Sequence, residues 1–169
     1  YHTFTHSTNV GFLCVMLANE LGINDPTEIR EIAIGALLHD LGKLDIPDGI
    51  LTKPGKLSDH EYSVIQDHPR LGFHRLCKRD DITHGQLMMV YQHHEKVGGG
   101  GYPVGCPRAD IHEWARICTV VDVYEALTAN RPYRGPMHLD DVLEIMERGS
   151  GEVFDSEMLK CWLTVIKSR

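Results

Sequence analysis

The chain has 169 residues, of which 42% are hydrophobic and 24% charged, and its formal net charge is −7. This length and composition predict one globular domain that spans residues 1–169, and they exclude a disordered chain. Because the net charge is acidic and no lysine- and arginine-rich run is present, a DNA or RNA polymer is excluded as a ligand. No apolar run approaches the length of about 18 residues that a bilayer requires, so no membrane segment is predicted.

Cysteine and histidine are the informative residue types. Five cysteines are scattered along the chain without a CxxC pair, which predicts reduced thiols in an intracellular protein. Histidine is unusually frequent, with eleven copies. The chain opens on Tyr1 without a methionine, and we interpret it as a piece of a longer protein that has an N-terminal regulatory domain.

The first two predicted helices precede the first histidine–aspartate pair. Apolar residues at three- and four-residue steps predict the first helix; they are Val10, Leu13, Leu17 and Leu21. Gly22 is typical of the residue that follows a helix. Asp25 followed by Pro26 indicates the start of the second helix, whose apolar side leads to His39 and Asp40.

The middle of the chain carries three further predicted helices. Prolines and glycines predict a loop before Ser58. Ser58 and Glu61 form a capping-box pattern for a third helix, which is expected to run to about His68. Pro69 indicates the start of a fourth helix, and a fifth is predicted over about residues 85–95.

The last third of the chain is also helical in pattern. Apolar residues recur at helical spacing over residues 111–133, and two further helices are predicted at about 139–147 and 156–168. The sequence shows no repeat and no convincing hairpin. It therefore predicts an all-α domain, a bundle of seven or eight helices around a central site.

Histidines and aspartates recur at or near the inner sides of these helices. They are His2, His6, His39, Asp40, His68, His93, His94 and Asp122. Burying so many ionisable side chains is costly unless they share a partner. Divalent metal ions are such a partner, since imidazole and carboxylate are standard ligands for iron, manganese and zinc. Most of the histidines alone are also typical of a helix end, whereas a lone aspartate such as Asp122 on an apolar face is unusual. The joint occurrence of these residues predicts a metal site.

Asp40 and Lys43 have the clearest individual roles in this set. Adjacent residues on a helix point about 100° apart, so His39 and Asp40 flank a common point. A carboxylate has two oxygens that can reach two ions, which predicts that Asp40 bridges two metals. Lys43 lies about one turn further on the same face, where its ammonium would contact a substrate phosphate.

Four segments, in order, resemble the HD-GYP domains, a branch of the HD metallophosphohydrolases that hydrolyse cyclic dinucleotides in bacteria. The segments are HDLGKLDIP, ILTKPGKLSDHEYSVIQDHPRLG, HHEKVGGGGYP and ARICTVVDVYEALTANRPYR. The resemblance extends from His6 to about Arg134. It implies a helical bundle around two iron or manganese ions in a protein of the bacterial cytoplasm, and it leaves dimer formation open.

The resemblance also implies a role for each matching residue. Asp40 would bridge the metals and Lys43 would contact the substrate phosphate, so these two are the implied catalytic residues. The implied ligands of the first metal are His6, His39, Asp40 and Asp122. The implied ligands of the second metal are Asp40, His68, His93 and His94. The residues expected around the substrate are Lys43, Tyr102, Glu125 and Arg131.

Two positions depart from the family pattern. Members with a third metal carry glutamate where this chain has His2, so His2 is an additional candidate ligand and a third metal is left open. The usual glycine-rich loop carries aspartate where this chain has Gly98. We expect this change to loosen the loop, alter substrate preference or reduce activity.

The residues and the resemblance together predict a metal-dependent phosphodiesterase. A metal-bridging hydroxide would attack phosphorus and open cyclic di-GMP to pGpG and then GMP, with 3′,3′-cyclic GMP-AMP as another candidate substrate. One alternative is a catalytically weak module that binds a cyclic dinucleotide or another protein. A second alternative is an HD phosphohydrolase that acts on nucleotides, which would leave His68, His93 and His94 unexplained.

Overall fold

The structure, a computed structural model, describes residues 2–130 and 135–168, without the side chains of His2 and Thr3. Within these residues the chain forms nine α-helices and no strand, so the predicted all-α class is confirmed. The helices are α1 (His2–Glu20), α2 (Pro26–Leu38), α3 (Asp48–Leu51), α4 (Asp59–Ile65), α5 (His68–Leu76), α6 (His84–Gln92), α7 (Glu113–Thr128), α8 (Leu139–Arg148) and α9 (Ser156–Lys167). Short 3-10 helices cover Leu41–Asp45 and Arg108–Asp110.

Local capping explains where several helices begin and end. The Asp25 side chain accepts a hydrogen bond from the backbone N–H of Glu28 at the start of α2. Gly22 follows α1 with a φ of 88°, a backbone conformation that glycine adopts without strain. At α4 the predicted capping box is present in both directions between Ser58 and Glu61. These signals act within a few residues, which is why they could be read from the sequence.

Several predicted boundaries are wrong by a few residues, and one of these errors concerns a candidate ligand. His68 was expected near the end of the third helix, but α4 ends at Ile65 and His68 is the first residue of α5. Pro69 accounts for the difference, because proline favours the first turn of a helix, where its missing N–H is not needed. The turn before His68 lets its ring face back toward the centre of the bundle.

Helix α7 lies at the centre of the bundle and packs against α1, α6, α8 and α9. Its fully buried apolar side chains join those of the surrounding helices in one core. The largest of these core residues are Leu17, Ile32, Met89, Ile117, Met146, Leu159 and Trp162. The same helix carries Asp122 and Glu125 in buried positions, so the core continues directly into the polar site. Among the described residues, no helix is both long and apolar enough to cross a membrane.

A close backbone contact brings the 3-10 helix Leu41–Asp45 onto the start of α5. A Cβ atom on Gly42 would lie 1.9 Å from the carbonyl oxygen of His68 and 2.5 Å from the amide nitrogen of Gly72. Only a residue without a side chain allows this approach. The contact matters for the site, because it fixes Asp40, just before the 3-10 helix, beside His68.

A Gly42→Ala variant is expected to be destabilised by about 3 kcal/mol, since its methyl group would overlap backbone atoms that cannot move aside. For a chain of this length that corresponds to a fall in Tm of about 6 °C or more. Thermal unfolding followed by circular dichroism measures the change. The control is Gly49→Ala, where an added Cβ meets no atom within 4 Å. Equal Tm values for the two variants would contradict the expected overlap.

Candidate metal centre

The candidate ligands come from five parts of the fold and meet at one point. His6 lies in α1, His39 and Asp40 follow the last turn of α2, and Asp122 lies in α7. The other three lie at the start of α5 and directly after α6; they are His68, His93 and His94. Most of these side chains are buried, and His39 and His93 have no exposed surface at all. The structure therefore brings together residues that are far apart in the sequence.

Asp40 belongs to the middle one of three overlapping groups of candidate ligand atoms. Nitrogen and carboxylate oxygen atoms within 4.8 Å of one another occur in three overlapping groups; these are His6–His39–Asp122, His39–Asp40–His93 and His68–His93–His94. The Oδ2 atom of Asp40 is 3.6 Å from His6 Nε2 and 3.4 Å from His39 Nε2. Its Oδ1 atom is 3.3 Å from His68 Nε2. One oxygen thus faces each side of the cluster, which is the geometry that a bridging carboxylate needs.

Three of the histidine rings are held in one tautomer by the backbone. Each places Nδ1 against a carbonyl oxygen of the preceding helical turn. The pairs are His39 with Ala36 at 2.6 Å, His68 with Ile65 at 2.7 Å and His93 with Val90 at 3.0 Å. A carbonyl only accepts, so Nδ1 carries the proton and donates it. In the neutral form of each ring, Nε2 therefore has a free lone pair that faces the centre.

The unpaired acceptor atoms of the histidines and of Asp40 indicate whether these side chains fit a cation. His68 Nε2 and His93 Nε2 are 3.1 Å apart, although neither carries a proton in this tautomer. In addition, His39 Nε2 and Asp40 Oδ1 are buried and have no hydrogen-bond partner. Unpaired acceptors that converge in a buried space are unfavourable without a positive charge among them. The donor set of imidazole nitrogens and carboxylate oxygens therefore fits divalent cations.

Burial and neighbouring charges shift the pKa values of the histidines in the cluster. Burial alone would lower the pKa of His39, but with no cation beside it the adjacent Asp40 carboxylate raises that pKa to about 10. A bound metal would therefore displace a proton from Nε2 of His39. Burial and the neighbouring His94 lower the pKa of His93 well below its usual range. Burial also lowers the pKa of His94, to about 3. His93 and His94 are thus held neutral, the form in which imidazole binds a metal.

Lys43 and Tyr102 lie at the edge of the cluster. The Nζ atom of Lys43 donates to Asp40 Oδ2 at 2.6 Å, and the lysine side chain is 29% exposed. The ring of Tyr102 stacks on the ring of His94, with centroids 4.6 Å apart. Both residues therefore lie where a substrate would approach. Arg131 lies outside the described residues, as does the side chain of His2.

Glu125 is buried beside His6. Its Oε2 atom is 2.5 Å from His6 Nδ1, and its Oε1 atom accepts a hydrogen bond of 2.9 Å from the side chain of Asn9. Both oxygens are therefore engaged by side chains of α1. This geometry favours a role in orienting His6 over the predicted contact with substrate.

Glu95 is a residue of the site that the sequence interpretation did not single out. It follows the histidine pair, is only 1% exposed, and turns its carboxylate onto the backbone of the loop beyond the glycines. The N–H groups of Val104, Gly105 and Cys106 donate to it at 2.7–3.2 Å. Its position next to His93 and His94 could have indicated that it belongs to the site. Its hydrogen-bond partners could not be predicted, because they are backbone N–H groups about ten residues further along the chain.

The glycine-rich segment is held by the surrounding backbone. The N–H of Tyr102 donates to the carbonyl of His94 at 3.1 Å. A Cβ atom on Gly101 would lie 2.6 Å from that same carbonyl oxygen, so a side chain is excluded there. The N–H of Gly98 donates to the carbonyl of Glu152 at 2.8 Å. Since Gly98 is anchored in this way, the structure offers no support for a loosened loop.

Comparison with known proteins agrees with this geometry. A family model described as HD domain matches residues 2–158, which is most of the chain. The chain belongs to the HD domain family. This assignment confirms the resemblance to HD-GYP domains that the four sequence segments predicted.

Two curated relatives cover most of this HD domain. It is 34% identical over 165 residues to a cyclic di-GMP phosphodiesterase of Pseudomonas aeruginosa, across 98% of this chain and 39% of the relative. It is 41% identical over 162 residues to 3′3′-cGAMP-specific phosphodiesterase 1 of Vibrio cholerae, across 90% of this chain and 36% of the relative. The HD domain described here thus spans less than half the length of these relatives.

A solved structure shows the same fold. Bd1817, an HDG"Y"P protein from Bdellovibrio bacteriovorus, superimposes on this HD domain with a TM-score of 0.80 at 21% sequence identity. The match covers 98% of this chain and 52% of that protein. It confirms the helical architecture around which the candidate ligands are arranged.

Proposed function

We propose that this HD domain is a metal-dependent phosphodiesterase that hydrolyses a cyclic dinucleotide, either cyclic di-GMP or 3′,3′-cyclic GMP-AMP. The observation that carries the proposal is the pair of buried ligand groups that meet at Asp40. The names of the two curated relatives support the substrate class. The expected products are linear pGpG and, after a second cleavage, GMP.

The residues that would hold the metals divide between two positions. We assign Asp40 to both, with one oxygen toward each. The remaining ligands of the first position are His6, His39 and Asp122. The remaining ligands of the second position are His68, His93 and His94. Iron or manganese suits this nitrogen and oxygen set, and His2 stays a candidate for a third position.

The bound ions would supply positive charge for the phosphate oxygens and would lower the pKa of a water ligand toward neutrality. The chain's own residues position the reaction. Backbone carbonyls hold the rings of His39, His68 and His93 so that their Nε2 atoms face inward. Lys43 lies with its ammonium beside Asp40 and offers further donors to a phosphate oxygen, which stabilises charge that develops during the attack. Tyr102, stacked on His94, borders the substrate.

Hydrolysis by reconstituted protein tests the proposal. Protein purified without oxygen and loaded with Mn(II) or Fe(II) is expected to convert cyclic di-GMP or 3′,3′-cyclic GMP-AMP to linear product, measured by chromatography. The same protein treated with a chelator is expected to be inactive. The proposal fails if fully loaded protein yields no product from either substrate. Binding without turnover would then favour a non-catalytic module.

Glu125→Gln is expected to weaken metal binding at the first position by about 10- to 100-fold, because the carboxylate that orients His6 is lost. Metal retained after dialysis against a graded chelator measures the change without reference to activity. Glu113→Gln on the same helix is the control, since Glu113 is exposed and lies outside the cluster. Unchanged metal retention would instead support the predicted contact between Glu125 and substrate.

The cysteines described by the structure are all free thiols, which supports the predicted place in the bacterial cytoplasm. The regulatory domain and the dimer stay predictions.

A further inference from the structure

A buried hydroxyl in α7, that of Thr119, contacts the backbone of the histidine pair. Thr119 is 5% exposed, and its Oγ1 atom donates to the carbonyl oxygen of His93 at 2.8 Å. The two residues are 26 positions apart in the sequence. The contact therefore joins α7 to the end of α6, where two candidate ligands of the second metal position lie.

The His93 carbonyl depends on this bond more than the other acceptor of the same hydroxyl does. Oγ1 is also 2.9 Å from the carbonyl of Ala115, four residues earlier in α7, which is the usual local partner of a helical threonine. Inside a helix such a carbonyl already accepts from a backbone N–H. His93 instead follows the last residue of α6, where no helical N–H comes after it. Within the part of the chain that the structure describes, no backbone N–H donates to the His93 carbonyl.

The position of this carbonyl affects the direction of two ligands. The carbonyl belongs to the peptide group that joins His93 to His94, and a peptide group is planar. Rotation of that plane would turn the backbone of both residues and displace both imidazole rings. The next peptide group is held as well, because the carbonyl of His94 accepts from the N–H of Tyr102 at 3.1 Å. Hydrogen bonds to two successive carbonyls thus fix the backbone that carries the histidine pair.

Thr119 lies on the same side of α7 as Asp122, a candidate ligand of the first metal position. The two residues are three positions apart, a spacing that places side chains on one face of a helix. Helix α7 therefore contributes to the first group of ligands through the carboxylate of Asp122 and contacts the second group through the hydroxyl of Thr119. Because both contacts come from one turn of one helix, they fix the two groups relative to each other.

We propose that Thr119 is a positioning residue, which holds the peptide group between His93 and His94 so that both rings reach the second metal. The inference rests on the proposed metal positions, and it adds a residue that itself binds neither metal nor substrate. Valine has the shape of threonine without the hydroxyl, so Thr119→Val leaves the buried carbonyl without its donor. We expect that variant to bind the second metal about tenfold more weakly, as variants that lose a contact behind a metal ligand do, and to bind the first with unchanged affinity.

Titration of metal-free protein with Mn(II), followed by electron paramagnetic resonance, measures both affinities without substrate. Two Mn(II) ions that share a carboxylate also couple magnetically, so the coupled signal reports that both positions are filled. Thr119→Ser keeps the hydroxyl and is expected to restore most of the affinity of the second position. Thr164→Val is the matched control, because the exposed Thr164 hydroxyl donates to the carbonyl of Lys160 within α9.

Three results would overturn the role of Thr119. One is a Thr119→Val variant that binds the second metal as tightly as the wild type does. Another is equal weakening at both positions, which indicates general destabilisation. The third is a Thr119→Ser variant that binds no better than Thr119→Val. Protein that shows the expected affinities but hydrolyses neither cyclic dinucleotide contradicts the proposed function and still confirms the role of Thr119.

Discussion

Asp40→Asn is expected to lose both metal ions and to reduce kcat/KM for cyclic dinucleotide hydrolysis by about 10³-fold or more. The carboxamide keeps one oxygen and replaces the other with an NH₂ group that binds no metal, so one of the two positions loses its ligand outright. The remaining oxygen has less negative charge to hold the second ion. Metal catalysis supplies several kcal/mol of transition-state stabilisation, and each 1.4 kcal/mol corresponds to a factor of ten.

Metal content per chain and steady-state kinetics measure this effect. His94→Ala is the informative comparison, because it removes one ligand from the second group alone. We expect that variant to retain about one metal per chain, held by the group around His6, His39 and Asp122. Two metals per chain in Asp40→Asn would show that Asp40 is not a bridge. Asp81→Asn, an exposed aspartate on the surface, controls for the substitution itself.

Glu95→Ala is expected to lower hydrolysis by about 10²-fold while both metals are retained. Removing the carboxylate leaves the N–H groups of Val104, Gly105 and Cys106 without their acceptor. An N–H that is left unpaired away from water costs about 1–3 kcal/mol, so the half-buried segment will rearrange to find other partners. Tyr102 would then leave its place against His94, and a displacement of about 1 Å at a reacting centre can cost about 10²-fold in rate.

Hydrogen exchange distinguishes this role from a direct part in catalysis. Amide exchange over residues 98–106 is expected to accelerate in Glu95→Ala, whereas exchange in α7 stays unchanged. Glu95→Gln is the conservative variant, since it keeps one acceptor oxygen and should fall between the wild type and the alanine variant in both exchange and rate. Loss of metal together with activity would show instead that Glu95 supports the histidine pair.

The candidate metal ligands could be predicted from the sequence, whereas the contacts of Glu95 and Glu125 could not. The candidate ligands could be identified because their residue types are costly to bury alone and because four motifs occur in the family order. Glu95 and Glu125 were different cases. The partners of Glu95 are backbone amides, which have no sequence signature, and the partner of Glu125, His6, is 119 positions away. No local pattern reveals such a contact.

The sequence by itself determined which longer segments are helices, although not the short α3, where Asp25 and Ser58 start two of them, and which histidines and aspartates are candidate ligands. Those properties depend on hydrogen bonds within one turn and on residue chemistry. Only the tertiary structure decided that Gly42 lets the backbone of the 3-10 helix touch His68, and that Asp40 turns one oxygen toward each ligand group. Packing sets such distances to within a few tenths of an ångström, because a single added methyl group does not fit there.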